Sequence, residues 1–247
     1  MTSDPLDPQQ WLTKNPLRPG ESLYAVISST SDADPLAAYR KRCGVEPAIA
    51  LWANTPYADW LPVMPYLLSL TPDSGFLQWV AETDADDWGW LAVSTAAPEL
   101  ITEHLRGLTQ VLMPAGEAVF FRFWDGRHWL PILQHLSTAA TDVLPVFDRY
   151  WINGQPVAVG QGAARPAQSF PWWEVPQNLL NTLADKDLTN VINNLMLWLK
   201  ETRAELYFST PESVLRQKVE HFVTFSDASQ DDDNQRFIAY IQQELGR

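Results

Sequence analysis

The sequence predicts an α/β (or α+β) N-terminal lobe, with a mixed sheet covered by helices, followed by an all-helical C-terminal lobe. Three observations carry this expectation. Eleven of the twelve tryptophans and eighteen of the nineteen prolines lie at or before Pro176. No glycine stands between Gly162 and Gly246. Short apolar runs alternate with helix-like stretches before Pro176, whereas apolar residues recur at helical spacing after it. Gly and Pro punctuate turns, so the first part is turn-rich and the last is dominated by long helices. The boundaries that follow are an N-terminal extension over 1–22, a lobe over 23–151, a Gly/Pro-rich connection over 152–176 and a helical lobe over 177–247.

Residues 23–27 (LYAVI) form a short apolar run between serines, as a buried strand does. Asp34 and Pro35 have the chemistry of an N-cap and a first helical turn for a helix reaching Arg42. Residues 48–52 read as a second strand, 75–81 and 98–108 as helices, and 91–93 as a short strand. The run 118–124 (AVFFRFW) is the strongest strand signal, with Val119, Phe121 and Phe123 on one face and Phe120, Arg122 and Trp124 on the other. The connection holds three glycines and four prolines, with room for one short strand at 156–159. Beyond it, Leu188, Val191, Ile192, Leu195 and Leu199 have the spacing of a buried helical stripe. Pro211 and Glu212 open a second helix with Leu215, Val219, Phe222 and Val223 inward. The acidic run 231–233 precedes a third helix carrying Phe237, Ile238, Ile241 and Leu245, which Gly246 and Arg247 close.

The 247 residues carry 17 Lys+Arg against 30 Asp+Glu, a formal charge of −13. That balance argues against a sequence-independent grip on nucleic acid, which needs clustered cations to neutralise phosphates. An apolar share of 46% excludes a disordered chain. No apolar run is long enough for a membrane helix, and the opening residues do not read as a secretory signal. The single cysteine, Cys43, excludes an intramolecular disulfide framework and points to a reducing compartment, so the expected location is the cytoplasm.

Catalytic motifs are missing: GxSxG, a P-loop, HExxH, GxGxxG and paired CxxC do not occur. His128 and His135 lie seven residues apart, but no carboxylate stands at a spacing that completes a metal site. Asp84, Asp86 and Asp87 lack the glycine and distal glutamate of a calcium loop and read as an acidic turn. Arg40, Lys41 and Arg42 beside Cys43 suit a helix C-terminus better than thiol activation. Neither a catalytic residue nor a cofactor or metal is expected.

Aromatic residues stand out instead. Tyr57, Trp60, Tyr66, Trp88, Trp124, Trp172 and Trp173 belong to a larger set than one core readily absorbs, and exposed Trp and Tyr are typical interaction anchors. Most such rings pack in cores, so these residues are candidates. Pro56, Pro62 and Pro65 stiffen the segment 55–66, which limits the entropy lost when its aromatics are held against a partner.

An ordered set of segments resembles a known family. LYAVISSTSDADPLAAY, LWANTPYADWLPVMPYLLSL, DDWGWLAVS, HLRGL and MPAGEAVFFRFWDGRHWLPIL together resemble the type VI secretion effector adaptors, also called Tap or TEC chaperones. The points of likeness are 23–27, 55–67, Trp88–Gly89 and 121–125, within a resemblance covering about 23–151. GRHWLP departs from the Asp-Pro-Arg-type step frequent at that place. The resemblance implies a bacterial cytoplasmic adaptor that binds a toxic effector protein and helps load it on the VgrG spike, without enzymatic activity. It carries no matching motif into the helical lobe. Task division then gives the spike to the first lobe and effector choice to the second, where Lys200, Arg203, Arg216 and Lys218 rim a groove for an amphipathic partner segment. Two rivals come from other classes. One is an immunity or scaffold protein that binds a toxin but no spike. The other is a small hydrolase or transferase using His128 and Asp125.

Overall fold

The computed structural model describes residues 6–44, 47–225 and 233–244; within helices, nothing is stated of the side chains at 185–187, 189, 190, 225 and 233–235. In chain order the first part contains α1 (Pro8–Lys14), β1 (Ser22–Ile27), α2 (Pro35–Cys43), β2 (Ala48–Ala50), β3 (Tyr66–Leu70), α3 (Gly75–Glu82), β4 (Gly89–Ser94) and α4 (Pro98–Gly107). It continues through β5 (Gln110–Leu112), β6 (Ala118–Phe120), α5 (Gly126–Leu136), α6 (Ala140–Val143), β7 (Arg149–Ile152) and β8 (Gln155–Ala158). Four helices follow: α7 (Gln177–Thr202), α8 (Ala204–Tyr207), α9 (Glu212–Phe225) and α10 (Asp233–Glu244). The chain divides into two compact units, one running through Leu179 and the other starting at Leu180.

The expected class is observed: a sheet with helical cover, then helices. The main sheet has the order β2-β3-β1-β4-β7-β8, and each of its ladders is antiparallel. That pairing places the first unit on the α+β side of the class. Strand β1 lies at the centre because LYAVI is apolar on both faces, as a strand covered on both sides must be. Leu23, Ala25 and Ile27 join Leu91, Val93, Tyr39, Phe76, Trp88 and Trp11 in one core layer under the first three helices. On the opposite face Trp90 meets Trp129 of α5, Phe147 and Tyr150 at ring separations of 6.4, 5.5 and 5.5 Å. Gly89 is required where β4 opens against β1: its φ is +141°, and an added Cβ would stand 2.1 Å from the Val26 carbonyl oxygen.

Beside the main sheet, β5 and β6 form a separate antiparallel ribbon. The connection after β8 folds back on this ribbon. Leu112 N–H donates to the Trp173 carbonyl and Val175 N–H to that of Leu112, each at 2.8 Å, forming a parallel bridge between Leu112 and Glu174. Where the connection crosses α4, a Cβ on Gly107 would meet the Gln168 carbonyl oxygen at 2.3 Å. Residues 159–176 are thus a strap packed onto the first unit, with β8 at Gln155–Ala158 just before it.

Three local expectations need correction. The run 118–124 is a strand only to Phe120. Asp125 N–H bonds the Arg122 carbonyl at 3.1 Å so that Asp125 can cap α5, and Trp90 Nε1–H takes the Phe123 carbonyl at 2.7 Å. The backbone therefore turns, and both Phe123 and Trp124 are buried instead of alternating. The second strand stops at Ala50, where the chain enters turns. In α7 the buried stripe is Ile192, Met196 and Leu199, with Leu195 partly buried beside it, while Leu188 and Val191 are exposed. Helix α7 has 26 residues against 14 in α9 and 12 in α10, so the two shorter helices cover only part of its length. Leu215, Val219, Phe237 and Ile241 are buried against that part. The run 231–232, Leu245 and the closing Gly246 and Arg247 lie outside the described residues.

Candidate protein-binding surface

The loop between β2 and β3 is built to present aromatics. The Thr55 hydroxyl donates to the Trp52 carbonyl at 2.7 Å and accepts from Tyr57 N–H at 3.1 Å, which fixes a tight turn. Successive turns then run through Trp60 to a short 3₁₀ turn, Leu61–Val63. From α4, Arg106 reaches across to the carbonyls of Leu51 and Ala53. Leu51 N–H bonds the Pro65 carbonyl at 2.9 Å, closing the base of the loop. With both ends tied and three prolines inside, the loop is held before any partner arrives.

Trp52, 1% exposed, is the buried hub. Its ring contacts those of Tyr57, Trp60, Phe120 and Trp124 at 6.0, 6.3, 6.4 and 5.2 Å, and its Nε1–H donates to Thr109 Oγ1 at 3.2 Å. Above it, Trp60 stacks on Phe120 with centroids 5.2 Å apart and planes 25° apart. Tyr57 packs edge-on to Phe120 at 5.0 Å, and its hydroxyl accepts from Gln110 Nε2 at 3.1 Å. Trp60 is 45% exposed, Phe120 41% and Leu61 64%. Half-buried Phe170 of the strap borders Tyr57 at 5.9 Å, beside a 280 Å³ cleft lined in part by Thr55, Glu103 and Arg106. Three segments distant in sequence thus contribute to one aromatic surface that leaves the Trp60 and Phe120 rings partly exposed. Such contiguous exposure marks an interaction site more often than an idle surface.

Of the sequence candidates, this surface gathers Tyr57 and Trp60. Trp88, Trp124 and Trp173 belong to the core, at 1%, 4% and 8% exposure. Trp88 sits between Phe76 and Trp79, Trp124 against Trp52 and Phe123, and Trp173 against Phe121. Their indoles are consumed by packing, so they offer no contact face. Tyr66 is half-buried in β3 and packs on the layer containing Tyr39 and Phe76. Trp172 is half-buried over α4 and borders a small cleft with His104 and Arg165. In the helical unit Lys218 pairs with Glu244 at 2.8 Å, and Arg216 bonds Asn193 and pairs with Glu220. Lys200 stands 5.7 Å over the Tyr207 ring, and Arg203 bonds the Thr202 carbonyl. These cations are engaged within their own unit, which leaves them weak as sole anchors. Phe120 and Leu61 carry no such signal in the sequence: Phe120 lies within an apolar run that reads as one strand through Trp124, and Leu61 is an aliphatic residue in a proline-bounded loop.

The pair behind the hydrolase alternative has a different geometry. Asp125 has no exposed surface, and its carboxylate accepts from Arg122, from the Arg127 backbone N–H and from the Arg127 guanidinium at 3.0–3.2 Å. His128 Nε2 is 3.7 Å away on an imidazole 54% exposed. Arg127 also reaches Asp86 and Asp87. The arrangement is a clamp that caps α5 and holds the acidic turn, whose carboxylates are thereby partly neutralised. Among the described residues no group of three His, Cys, Asp or Glu side chains is placed to hold a metal ion. Cys43 is half-buried with its Sγ 3.2 Å from the Ser74 hydroxyl.

Residues 23–142, just under half of the chain, match the family model described as Domain of unknown function (DUF4123). The match ends within α6 and so takes in every strand of the first unit except β7 and β8. No curated protein and no solved structure matches the chain significantly.

Proposed function

We propose that this chain is a non-catalytic adaptor of the bacterial cytoplasm that binds a type VI secretion effector and helps load it onto the VgrG spike. The observation that carries the reading is the pre-formed aromatic surface of Tyr57, Trp60 and Phe120, with exposed Leu61 next to Trp60 in the chain. The family resemblance of 23–151 supplies the choice of partners, and the matched segment 23–142 contains the whole surface apart from Phe170. Among the described residues no helix is long and apolar enough to cross a membrane.

Two partners call for two surfaces. The aromatic surface serves the task shared across the family, meeting the spike. The helical unit, with Leu197, Phe208 and Val214 at 54%, 71% and 39% exposure, supplies the apolar anchors for effector choice. Its cations tune approach and selectivity more than affinity. The test is co-expression of the tagged full chain with an effector and a spike protein encoded beside it, read by size-exclusion chromatography with light scattering. A complex containing all three supports the reading. Capture of the toxin alone makes the chain an immunity or scaffold protein, and capture of neither removes the adaptor role.

A further inference from the structure

We propose that the outer edge of β6, at Ala118 and Phe120, docks an extended segment of a partner protein, which joins the β5–β6 ribbon as an additional strand. This deepens the adaptor reading and rests on it for the partner's identity.

The register defines the edge. Phe121 N–H bonds the Thr109 carbonyl and Met113 N–H bonds that of Glu117, while Val111 faces Val119. Hydrogen-bonded pairs alternate along an antiparallel ribbon, so the main-chain groups of residues 110, 112, 118 and 120 point away from it. On the β5 side this is realised: the outward N–H and C=O of Leu112 are both taken by the strap at Trp173 and Val175. On the β6 side, among the described residues, no hydrogen bond reaches the main chain of Ala118 or Phe120. The ribbon thus already accepts an extended segment on one edge and presents the complementary edge to solvent.

The occupant follows from the chemistry of that edge. Free N–H and C=O groups at alternate residues select an extended backbone, the mode of β-strand addition. The side chain next to Phe120 on an added strand would lie against the Trp60–Phe120 stack, so its inward positions are apolar. Exposed Glu117 and Asp59 flank the surface in a chain of net charge −13, which favours lysine or arginine at the outward positions. Edge strands are commonly protected by lysine or proline. The β8 edge carries Pro156, whereas Ala118-Val119-Phe120 carries neither and is protected by its shortness alone.

The probe is an acetylated, amidated heptapeptide, Lys-Val-Lys-Phe-Lys-Val-Lys, added to the full chain. Two analogues with the same side chains carry N-methyl groups, one on the Val and Phe amides and the other on the interior Lys amides. Backbone pairing predicts that one analogue binds at least tenfold more weakly than the parent while the other is retained, because strand N–H groups face the edge at alternate residues. NMR-detected hydrogen exchange should show new protection at the amides of Ala118 and Phe120. Ala118→Pro, which removes an outward N–H and leaves the β5 ladder intact, should abolish binding without shifting the melt. Equal binding by all three peptides, protection elsewhere, or no binding of the parent at millimolar concentration overturns the proposal. Failure here alongside a successful effector–spike complex removes the edge and leaves the adaptor reading. Peptide pairing without that complex does the reverse.

Discussion

Asp125 has no exposed surface, yet four donors converge on its carboxylate, three of them from Arg127 and one from Arg122. Removing it uncaps α5, leaves Arg127 only its longer contacts to Asp86 and Asp87 and opens a buried void. Asp125→Ala should therefore lower stability by roughly 2–4 kcal/mol in urea unfolding. Arg122 is 46% exposed, and Arg127 keeps the carboxylate paired without it, so Arg122→Ala should cost under about 1 kcal/mol. A second carboxylate gives a pH signature. The Glu21 side chain, 3% exposed, accepts from both terminal nitrogens of the Arg149 guanidinium at 2.6 and 2.9 Å, and that pairing lowers its pKa to about 2 from an ordinary 4.5. Between these values the unfolded chain binds the extra proton, so the stabilisation is complete above pH 4.5 and is lost as pH falls toward 2. Its full size is roughly 3 kcal/mol at neutral pH. Glu21→Gln should flatten the acid limb of the stability–pH curve in that window, which thermal melts from pH 2 to 6 will register.

Among the elements, the strap shows how far backbone fit governs placement. Gly107 lets Gln168 approach α4, and the neighbouring His104 Nε2 lies 3.2 Å from the Arg165 carbonyl, with burial lowering its pKa. Gly107→Ala should displace residues 165–173, raise hydrogen exchange there and weaken the Leu112–Trp173 contact, with a stability loss of about 1–3 kcal/mol. Unchanged exchange would show that the strap has room to spare. Nothing in the sequence announced this, because the strap's glycines and prolines look like those of any connection. The central strand, the Asp34–Pro35 cap and α3 were legible, since apolar runs and capping chemistry are local signals. Helix α5 was not, because Pro131 sits inside it and its cap, Asp125, follows an aromatic run that resembles a strand. Strand β3 was hidden by Pro65 at its entry. The aromatic surface was half legible. Trp60 and Tyr57 are flagged by their proline-rich loop, but Phe120 joins them only through a ribbon register that periodicity does not encode.

At the scale of the whole molecule, the rings that hold the first unit together are distinct from the rings that face outward. Trp11, Trp52, Trp88, Trp90 and Trp129 are each at most 1% exposed, and with buried Trp124, Trp151 and Trp173 they account for eight of the twelve indoles as core. Trp60 and Phe120 remain open and are braced from below by Trp52. Exposed rings of this kind contribute little to folding, yet anchors at the centre of an interface often carry about 2 kcal/mol or more each. The direct test is a calorimetric titration of the full chain and its Trp60→Ala/Phe120→Ala double variant against the spike protein, with melts recorded in parallel. The account predicts a melting temperature within a few degrees of the parent and affinity for the spike reduced at least a hundredfold. A double variant that melts like the parent and binds the spike with undiminished affinity would contradict it.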